Sequence, residues 1–177
     1  RTIRRYALPD RIQMRLQRLT PELCASAHHL LKRYLKEIRV ARQFSPEEFQ
    51  HNFLPHHGVV DTYVRTDSSG KVVTDLVSMY FIHTALLEKP KGHEGMKIAY
   101  SHYMVTSEAG DLIDLTTDAM IIARNQGCDV YNMLDVMDNA SDFTPLKFDQ
   151  GDVPMNYHIY NWRCPAVEAR DIGVVLL

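Results

Sequence analysis

The last five residues of the sequence are the first candidates for a chemical role. They read Gly173-Val174-Val175-Leu176-Leu177. Chain termini are usually polar and frayed, so five apolar residues in this place favour a last strand inside a sheet. The α-carboxylate of Leu177 would then be held in one position, and a buried, fixed carboxylate is a candidate general base. The alternative is an apolar strand whose carboxylate lies at the rim of the sheet and takes no part in chemistry.

Acidic residues form the second pattern with chemical content. Residues 1–50 carry eleven Lys or Arg and five acids, whereas residues 108–152 carry ten acids and two basic residues, behind a net charge of only −2. Such a C-terminal half is unsuited to nucleic acid and suits a cationic ligand. The alternative is that most of these acids are helix caps and solvated turn residues. The ten are Glu108, Asp111, Asp114, Asp118, Asp129, Asp135, Asp138, Asp142, Asp149 and Asp152.

Familiar cofactor and metal motifs are not found in the sequence. It contains no Gly-x-Gly-x-x-Gly run, no P-loop and no Gly-x-Ser-x-Gly elbow. Among nine histidines, the pairs 28–29 and 56–57 are adjacent in sequence, and neighbours on a helix or strand point apart. None of the Cys and His spacings matches a zinc pattern, so we expect no metal site.

Length and composition indicate one domain of ordinary globular type. The chain has 177 residues, of which 45% are hydrophobic and 24% charged. No run approaches the ~20 apolar residues of a membrane span, and residues 1–6 contain no signal-peptide core. The sequence lacks an initiator Met, so we expect it to be a piece of a longer protein. Cys24, Cys128 and Cys164 are odd in number and widely spaced, which predicts reduced thiols and a cytoplasmic location.

Two helix starts are predicted in the N-terminal third. Thr20-Pro21-Glu22 offers an N-cap, a Pro at the first helical position and an acid in the first turn, followed by an apolar stripe over residues 23–38. Ser45-Pro46-Glu47-Glu48 is a capping box, after which Phe49 and Phe53 face inward.

The remaining chain alternates β-rich runs with helices. A turn at 67–70 separates two strands, and Gly127 ends a long helix. Interleaved helices and hairpins predict a mixed α/β, α+β-like domain with a central mixed sheet. The predicted strands are 59–66, 72–81, 98–105 and 130–136, the helix is 111–125, and a last hairpin runs from 146–148 to 157–162 with Trp162, the single Trp, on a strand with one buried face.

Several motifs of this sequence, in the same order and near the same spacing, resemble the C-terminal half of the N-myristoyltransferases. They cover essentially the whole chain, and the sequence stops where the family stops. The matching segments are Ser78-Met79-Tyr80, Ala99-Tyr100-Ser101-His102-Tyr103, Thr117-Asp118-Ala119-Met120, Asp-Val-Tyr-Asn-Met-Leu-Asp (129–135), Leu-Lys-Phe (146–148), Gly-Asp (151–152), Tyr-Asn-Trp-Arg-Cys-Pro (160–165) and Gly-Val-Val-Leu-Leu (173–177).

The resemblance implies a doubled acetyltransferase-like (GNAT) fold, of which residues 1–177 are the C-terminal, peptide-binding half. It implies that an N-terminal half, not in this chain, binds myristoyl-CoA as co-substrate. The implied activity is transfer of the myristoyl group to the N-terminal glycine amine of protein substrates that are often basic downstream. Neither metal, nucleic acid nor a transmembrane segment is implied.

The resemblance also assigns roles to single residues. The C-terminal carboxylate of Leu177 is implied to be the general base. Six positions match the peptide groove and Leu176 joins them: these peptide-binding residues are Tyr80, Thr84, Tyr100, Val130, Asn132, Asp152 and Leu176. Without the resemblance, the tyrosines could equally be core aromatics and Asp152 a turn residue.

Two departures from the family pattern affect these roles. The family usually has Ser where this chain has Thr84, which keeps the hydroxyl. It commonly reads Gly-Asp-Gly where this chain has Gly151-Asp152-Val153-Pro154; Val disfavours positive φ and Pro has no N–H, so this loop must differ in shape. Two other functions remain open: a GNAT-type acyltransferase with another acyl donor, and a non-catalytic peptide-binding module.

Overall fold

The computed structural model describes residues 6–85, 95–107, 112–151 and 153–175. The elements alternate in the order that the sequence predicts for a mixed α/β domain. The strands are β1 (Gln17–Arg18), β2 (Val40–Ala41), β3 (Val60–Thr66), β4 (Val73–Ala85), β5 (Gly95–Thr106), β6 (Val130–Asn132) and β7 (Ile172–Gly173), and the helices are α1 (Cys24–Leu35), α2 (Pro46–Phe53), α3 (Leu112–Asn125) and α4 (Ala140–Leu146).

Five strands form the central sheet, in the order β1-β3-β4-β5-β6. Neighbours are antiparallel except β5 and β6, which run parallel because the chain crosses over through α3. A second sheet consists of β2 and β7 alone, paired in parallel. The predicted fold class, a central mixed sheet with helices, is therefore confirmed.

Helices cover both faces of the central sheet, so a separate apolar cluster lies on each side. On one face α1, α2 and the C-terminal residues pack around Leu76, Tyr103 and Val105. On the other face α3 packs with Leu115, Ala119 and Ile122 against strand residues such as Val77 and Met79. Because side chains alternate along a strand, consecutive residues of β4 serve the two clusters in turn.

Local capping signals explain where the helices begin. Ser45 forms the predicted capping box: its hydroxyl accepts from the Glu48 N–H, and the Glu48 carboxylate accepts from the Ser45 N–H at 2.8 Å. Phe49 and Phe53 are fully buried, as the sequence predicts. The earlier helix begins at Pro21 as a 3₁₀ turn, and its predicted N-cap, Thr20, makes no side-chain cap hydrogen bond.

The C-terminal third differs from the sequence prediction. The predicted strand 130–136 stops at Asn132, and the predicted hairpin from 146 to 162 is wrong. Residues 140–146 form a helix instead, and residues 157–162 belong to no helix or strand. Trp162 is 62% exposed. No strand among the described residues pairs with this segment, and an aromatic–polar alternation by itself does not provide a pairing partner.

No helix in the described part of the chain is both long enough and apolar enough to cross a bilayer.

Candidate functional site

Two of the predicted groove residues, Tyr80 of β4 and Tyr100 of β5, lie side by side on the central sheet. They are directly paired across the strands, and their rings stack with centroids 5.2 Å apart and planes 13° apart. Asn132 of β6 is paired with Tyr100 on the next strand. All three are partly buried. We call the surface that carries these residues the tyrosine face.

Strand register places two further predicted residues on the same face. Val130 precedes Asn132 by two residues and Thr84 follows Tyr80 by four, so both share the tyrosine face through the period-two alternation of a strand. Both are exposed, and Thr84 lies about 13 Å along β4 from Tyr80 at roughly 3.3 Å per residue. The sheet therefore gathers five predicted residues on one side, three of them adjacent and two further along.

Three predicted residues, Asp152, Leu176 and Leu177, lie outside the described residues. Their assigned roles are therefore carried only by the resemblance. The structure does describe the backbone up to Val175, two residues before the end of the chain.

The segment Gly173–Val175 is anchored in the protein interior. Val175 is only 4% exposed and belongs to the same apolar cluster that Tyr80 packs against. The hydroxyl of Tyr103 donates to the Gly173 carbonyl at 3.0 Å, and the Val175 N–H donates to that hydroxyl at 3.4 Å. The hydroxyl of Tyr157 donates to the Val174 carbonyl at 2.7 Å. The terminal segment is therefore buried at Gly173 and Val175, but the strand that the sequence predicts from Gly173 onward ends at Gly173 within the described residues.

Burial keeps these phenols protonated. Loss of solvent raises the pKa of Tyr103, Tyr157 and Tyr80, and for Tyr80 the neighbouring Tyr100 adds to the effect. A protonated phenol has one hydrogen to donate and an oxygen that accepts. The geometry at Tyr103 uses both capacities.

A β-bulge brings His102 and Tyr103 to this side of the sheet. Strand β5 has one residue more than β4 at this point, so both His102 and Tyr103 lie opposite Ser78. Strict alternation would have placed Tyr103 on the other face from Tyr100, which is why sequence reasoning missed it. The sequence signal for a bulge was absent, since β5 contains no Gly near this point.

His102 is a buried polar residue that the sequence also did not single out. Its Nδ1 lies 3.2 Å from the Ser78 hydroxyl, which receives a hydrogen bond from Thr62 at 2.9 Å. Its ring stacks on Phe53 at 4.7 Å and meets Tyr80 edge-on at 6.2 Å. Burial, together with a smaller effect of the charge on Arg42, lowers the pKa of His102 to about 3, so the ring is neutral near pH 7.

Several of the acids from 108–152 have structural partners. Asp118 is fully buried and accepts hydrogen bonds from the backbone N–H groups of Gln13 and Met14 at 2.8 and 2.7 Å. Asp142 is buried and accepts from the Thr116 hydroxyl. The interpretation that these carboxylates are structural therefore holds for both, and the acidic excess alone is weak evidence for a cationic ligand.

The tyrosine face carries no cluster of metal ligands within the described residues, where no three His, Cys, Asp or Glu side chains converge. An open cleft of about 450 Å³ lies elsewhere, lined by residues that include Gln13, Arg65 and Asp114, and no predicted site residue lines it.

Known proteins resemble this chain over nearly its whole length. Residues 1–175 match the family model described as myristoyl-CoA:protein N-myristoyltransferase, C-terminal domain. The chain is 40% identical to a glycylpeptide N-tetradecanoyltransferase of Drosophila melanogaster over 178 residues, which is 100% of this chain and 37% of that protein. It is 40% identical to glycylpeptide N-tetradecanoyltransferase 2 of Bos taurus, over 99% of this chain and 35% of that protein. The chain thus spans little more than a third of these relatives.

Solved structures give the same result for the fold. A Saccharomyces cerevisiae N-myristoyltransferase with bound myristoyl-CoA superposes with a TM-score of 0.78 at 29% identity, over 85% of this chain and 39% of that one. A Trypanosoma brucei acetyltransferase has a TM-score of 0.56 at 14% identity, which shows an acetyltransferase-like fold and nothing more. The whole-chain family match, the curated relatives and the shared fold confirm the predicted resemblance: this chain belongs to the family of N-myristoyltransferase C-terminal domains.

Proposed function

We propose that this chain is the peptide-binding half of an enzyme that transfers a myristoyl group from myristoyl-CoA to the N-terminal glycine amine of protein substrates. The observation that carries the proposal is the family match over residues 1–175. The chain covers 37% of the Drosophila relative, so we assign the binding of myristoyl-CoA to an upstream half of the kind that the relatives contain.

The chemistry requires a base rather than a protein nucleophile. An α-amine with a pKa of about 8 is mostly protonated at pH 7 and must lose a proton before it attacks. The free amine then forms a bond to the thioester carbonyl carbon, the carbon–sulfur bond breaks, and CoA leaves as the thiol. Because the thioester is already activated, the groups needed from this chain are those that hold the amine and take its proton.

We assign the proton-accepting role to the α-carboxylate of Leu177. The support is the course of the chain before it: Gly173 pairs with β2, and Val175 is buried and hydrogen-bonded to Tyr103. We propose that this anchor limits where the carboxylate two residues further along the chain can lie. That restriction is what a general base within hydrogen-bond reach requires.

We assign the peptide backbone to the tyrosine face. Tyr80 and Tyr100 form a stacked, half-buried pair, and Asn132 lies beside them with an amide that both donates and accepts. Thr84 and Val130 are exposed further along the same strands. Two more assignments rest on the family pattern alone. Leu176 would contact the substrate in the groove, and Asp152 would pair with a basic residue further along the substrate.

The test is a full-length protein whose terminal carboxylate is moved or blocked. We expect a one-residue extension after Leu177, or deletion of Leu177, to lower kcat by on the order of 10²–10⁴-fold, the effect of a positioned general base. Deletion moves the carboxylate by about 3.3 Å in an extended chain. The matched control, Leu177→Met, keeps a carboxylate at the same position and should retain most of the rate.

The measurements are steady-state transfer to a Gly-starting peptide and equilibrium binding of myristoyl-CoA to each variant. We expect acyl-CoA binding to be unchanged throughout, because its site lies in the other half. Turnover by the extended protein equal to that of the parent would remove Leu177 from the mechanism. Absence of any myristoyl transfer by the parent protein would favour a non-catalytic peptide-binding module or another acyl donor.

A further inference from the structure

The terminal segment is held by side-chain hydroxyl groups after its own strand has ended. The β2–β7 ladder pairs Val40 with Ile172 and Ala41 with Gly173, and the ladder stops there. Residues 174 and 175 follow this two-residue strand and belong to no sheet. A two-residue pairing gives weak control over the register of the residues after it, so other contacts must fix their position.

Beyond the last backbone hydrogen bond from the β2 side, in which the Arg42 N–H donates to the Gly173 carbonyl at 3.3 Å, Tyr103 contacts the terminal segment through its side chain. Its hydroxyl donates to the Gly173 carbonyl at 3.0 Å and accepts from the Val175 N–H at 3.4 Å. These groups belong to residues i and i+2 of the terminal segment, the spacing at which an extended chain presents its backbone groups to one side. One phenol oxygen therefore spans the last described stretch of the chain.

The Tyr103 ring is itself fixed, so the hydroxyl has a defined position. The side chain is 1% exposed. Its ring centroid lies 4.7 Å from that of His102, 5.7 Å from that of Phe53 and 5.8 Å from that of Phe44. The bulge in β5 turns it toward the terminal segment. Three residues earlier, the same strand carries Tyr100 of the tyrosine face, so β5 links the candidate peptide surface to the terminus.

We propose that Tyr103 is a positioning residue for acyl transfer: its hydroxyl sets the register of the segment that ends in Leu177, and so the position of the terminal carboxylate relative to the substrate amine. The inference rests on the proposed function. Loss of the hydroxyl would leave the Val175 N–H without its acceptor, and the Gly173 carbonyl would keep only the Arg42 N–H as a donor. A displacement of about 1 Å at a reacting group can lower a rate by on the order of 10²-fold.

The test compares Tyr103→Phe with Tyr131→Phe in the full-length protein. Both changes remove one buried phenol oxygen, but among the described residues the Tyr131 hydroxyl makes no hydrogen bond to the terminal segment. We expect Tyr103→Phe to lower kcat by about 10- to 100-fold while myristoyl-CoA binding stays at the parent value. Tyr131→Phe should keep kcat within about twofold. A Tyr103→Phe kcat within about twofold of the parent would overturn the proposal.

A double-mutant cycle separates positioning from a general loss of structure. In a protein extended by one residue after Leu177, the carboxylate is already misplaced, so we expect Tyr103→Phe to cost less than about threefold more. A further loss as large as in the unextended protein would mean that Tyr103 acts on folding or elsewhere, and would overturn the inference. If the extension alone is harmless, the base assignment fails and this inference fails with it; if the extension is severe and Tyr103→Phe is silent, only this inference fails.

Hydrogen exchange at the Val175 amide gives a readout that does not depend on activity. In Tyr103→Phe this N–H loses its acceptor, and we expect its exchange to quicken relative to the amides of β3 and β4, which report on the fold. Measurement below the melting temperature of the variant keeps the comparison valid even when the variant is less stable. Unchanged exchange at Val175 would overturn the proposal.

Discussion

At the scale of single residues, His102 shows how the tyrosine face is built. A neutral imidazole fills the space between Phe53 and Tyr80, and it shares a hydrogen bond with Ser78. An ionised ring there would lie in an apolar cluster with its charge poorly solvated, which is why its pKa is lowered to about 3. The packing beside the candidate groove thus depends on one side chain staying uncharged.

This arrangement predicts a stability that falls in acid. In the unfolded chain His102 binds a proton near pH 6.5, whereas in the folded chain it does so only near pH 3. The contribution of the neutral ring to the free energy of unfolding is therefore fully present above pH 6.5. It is lost as the pH falls toward 3. Between pH 7 and pH 5 this amounts to about 2 kcal/mol, at about 1.4 kcal/mol per unit. Chemical denaturation of the full-length protein at both pH values measures it.

The variant His102→Phe keeps an aromatic ring and removes the titration, so we expect a smaller loss of stability between the two pH values. His51→Gln, an exposed change on α2, is the control and should match the parent. An equal loss in His102→Phe and the parent would contradict the prediction.

At the scale of elements, the pairing of β2 with β7 depends on a residue without a side chain. A Cβ on Gly173 would lie 3.0 Å from Leu35 Cδ2, 3.1 Å from Ala41 Cβ and 3.2 Å from Ile38 Cγ2. The close approach lets α1 and β2 hold the start of the terminal segment. Here Gly serves close packing rather than an unusual backbone angle.

We predict that Gly173→Ala destabilises the protein by roughly 1–3 kcal/mol, the usual cost of overpacking, and lowers kcat because β7 must shift. Thermal melting and steady-state transfer by the full-length protein check both effects. Gly151→Ala is the control for stability, since a Cβ there meets nothing within 4 Å. If Gly173→Ala melts at the same temperature as the parent, α1 accommodates the added Cβ without loss of stability and the prediction is wrong.

At the scale of the whole molecule, the chain spans 37% of its Drosophila relative and superposes on 39% of the yeast enzyme. Its own described surface exposes large apolar side chains on an irregular segment, with Val153 83%, Tyr160 89% and Trp162 62% exposed. Under the proposed division of labour, the donor site lies in sequence that this chain does not contain.

We therefore predict that residues 1–177 expressed alone do not transfer myristate from myristoyl-CoA to a Gly-starting peptide. The exposed apolar segment should also limit the solubility of the isolated chain. The assay compares the isolated chain with the full-length protein at equal molar concentration. Clear turnover by the isolated chain would contradict the division into an acyl-CoA half and a peptide half.

The sequence by itself determined the features that depend on neighbours along the chain. The capping box at Ser45, the turn at 67–70 and the alternation along β3, β4 and β5 are local, so their residues predict them directly. Alternation also predicts which residues share a face, and Tyr80 and Thr84 therefore fall on the same side. The order of the short motifs along the chain identified the family, because several of them occur in the same order and near the same spacing as in N-myristoyltransferases.

Only the tertiary structure decided the features that depend on contacts distant in sequence. Aromatic–polar alternation predicted a strand with one buried face at 157–162, yet no neighbouring strand in the described part of the chain pairs with it, and Trp162 is 62% exposed. One extra residue in β5 places Tyr103 beside Gly173, seventy residues later, against the alternation of its strand. A strand pattern states which residues share a side; it does not state which partner exists or where a bulge shifts the register by one, since both are set by packing across the whole domain.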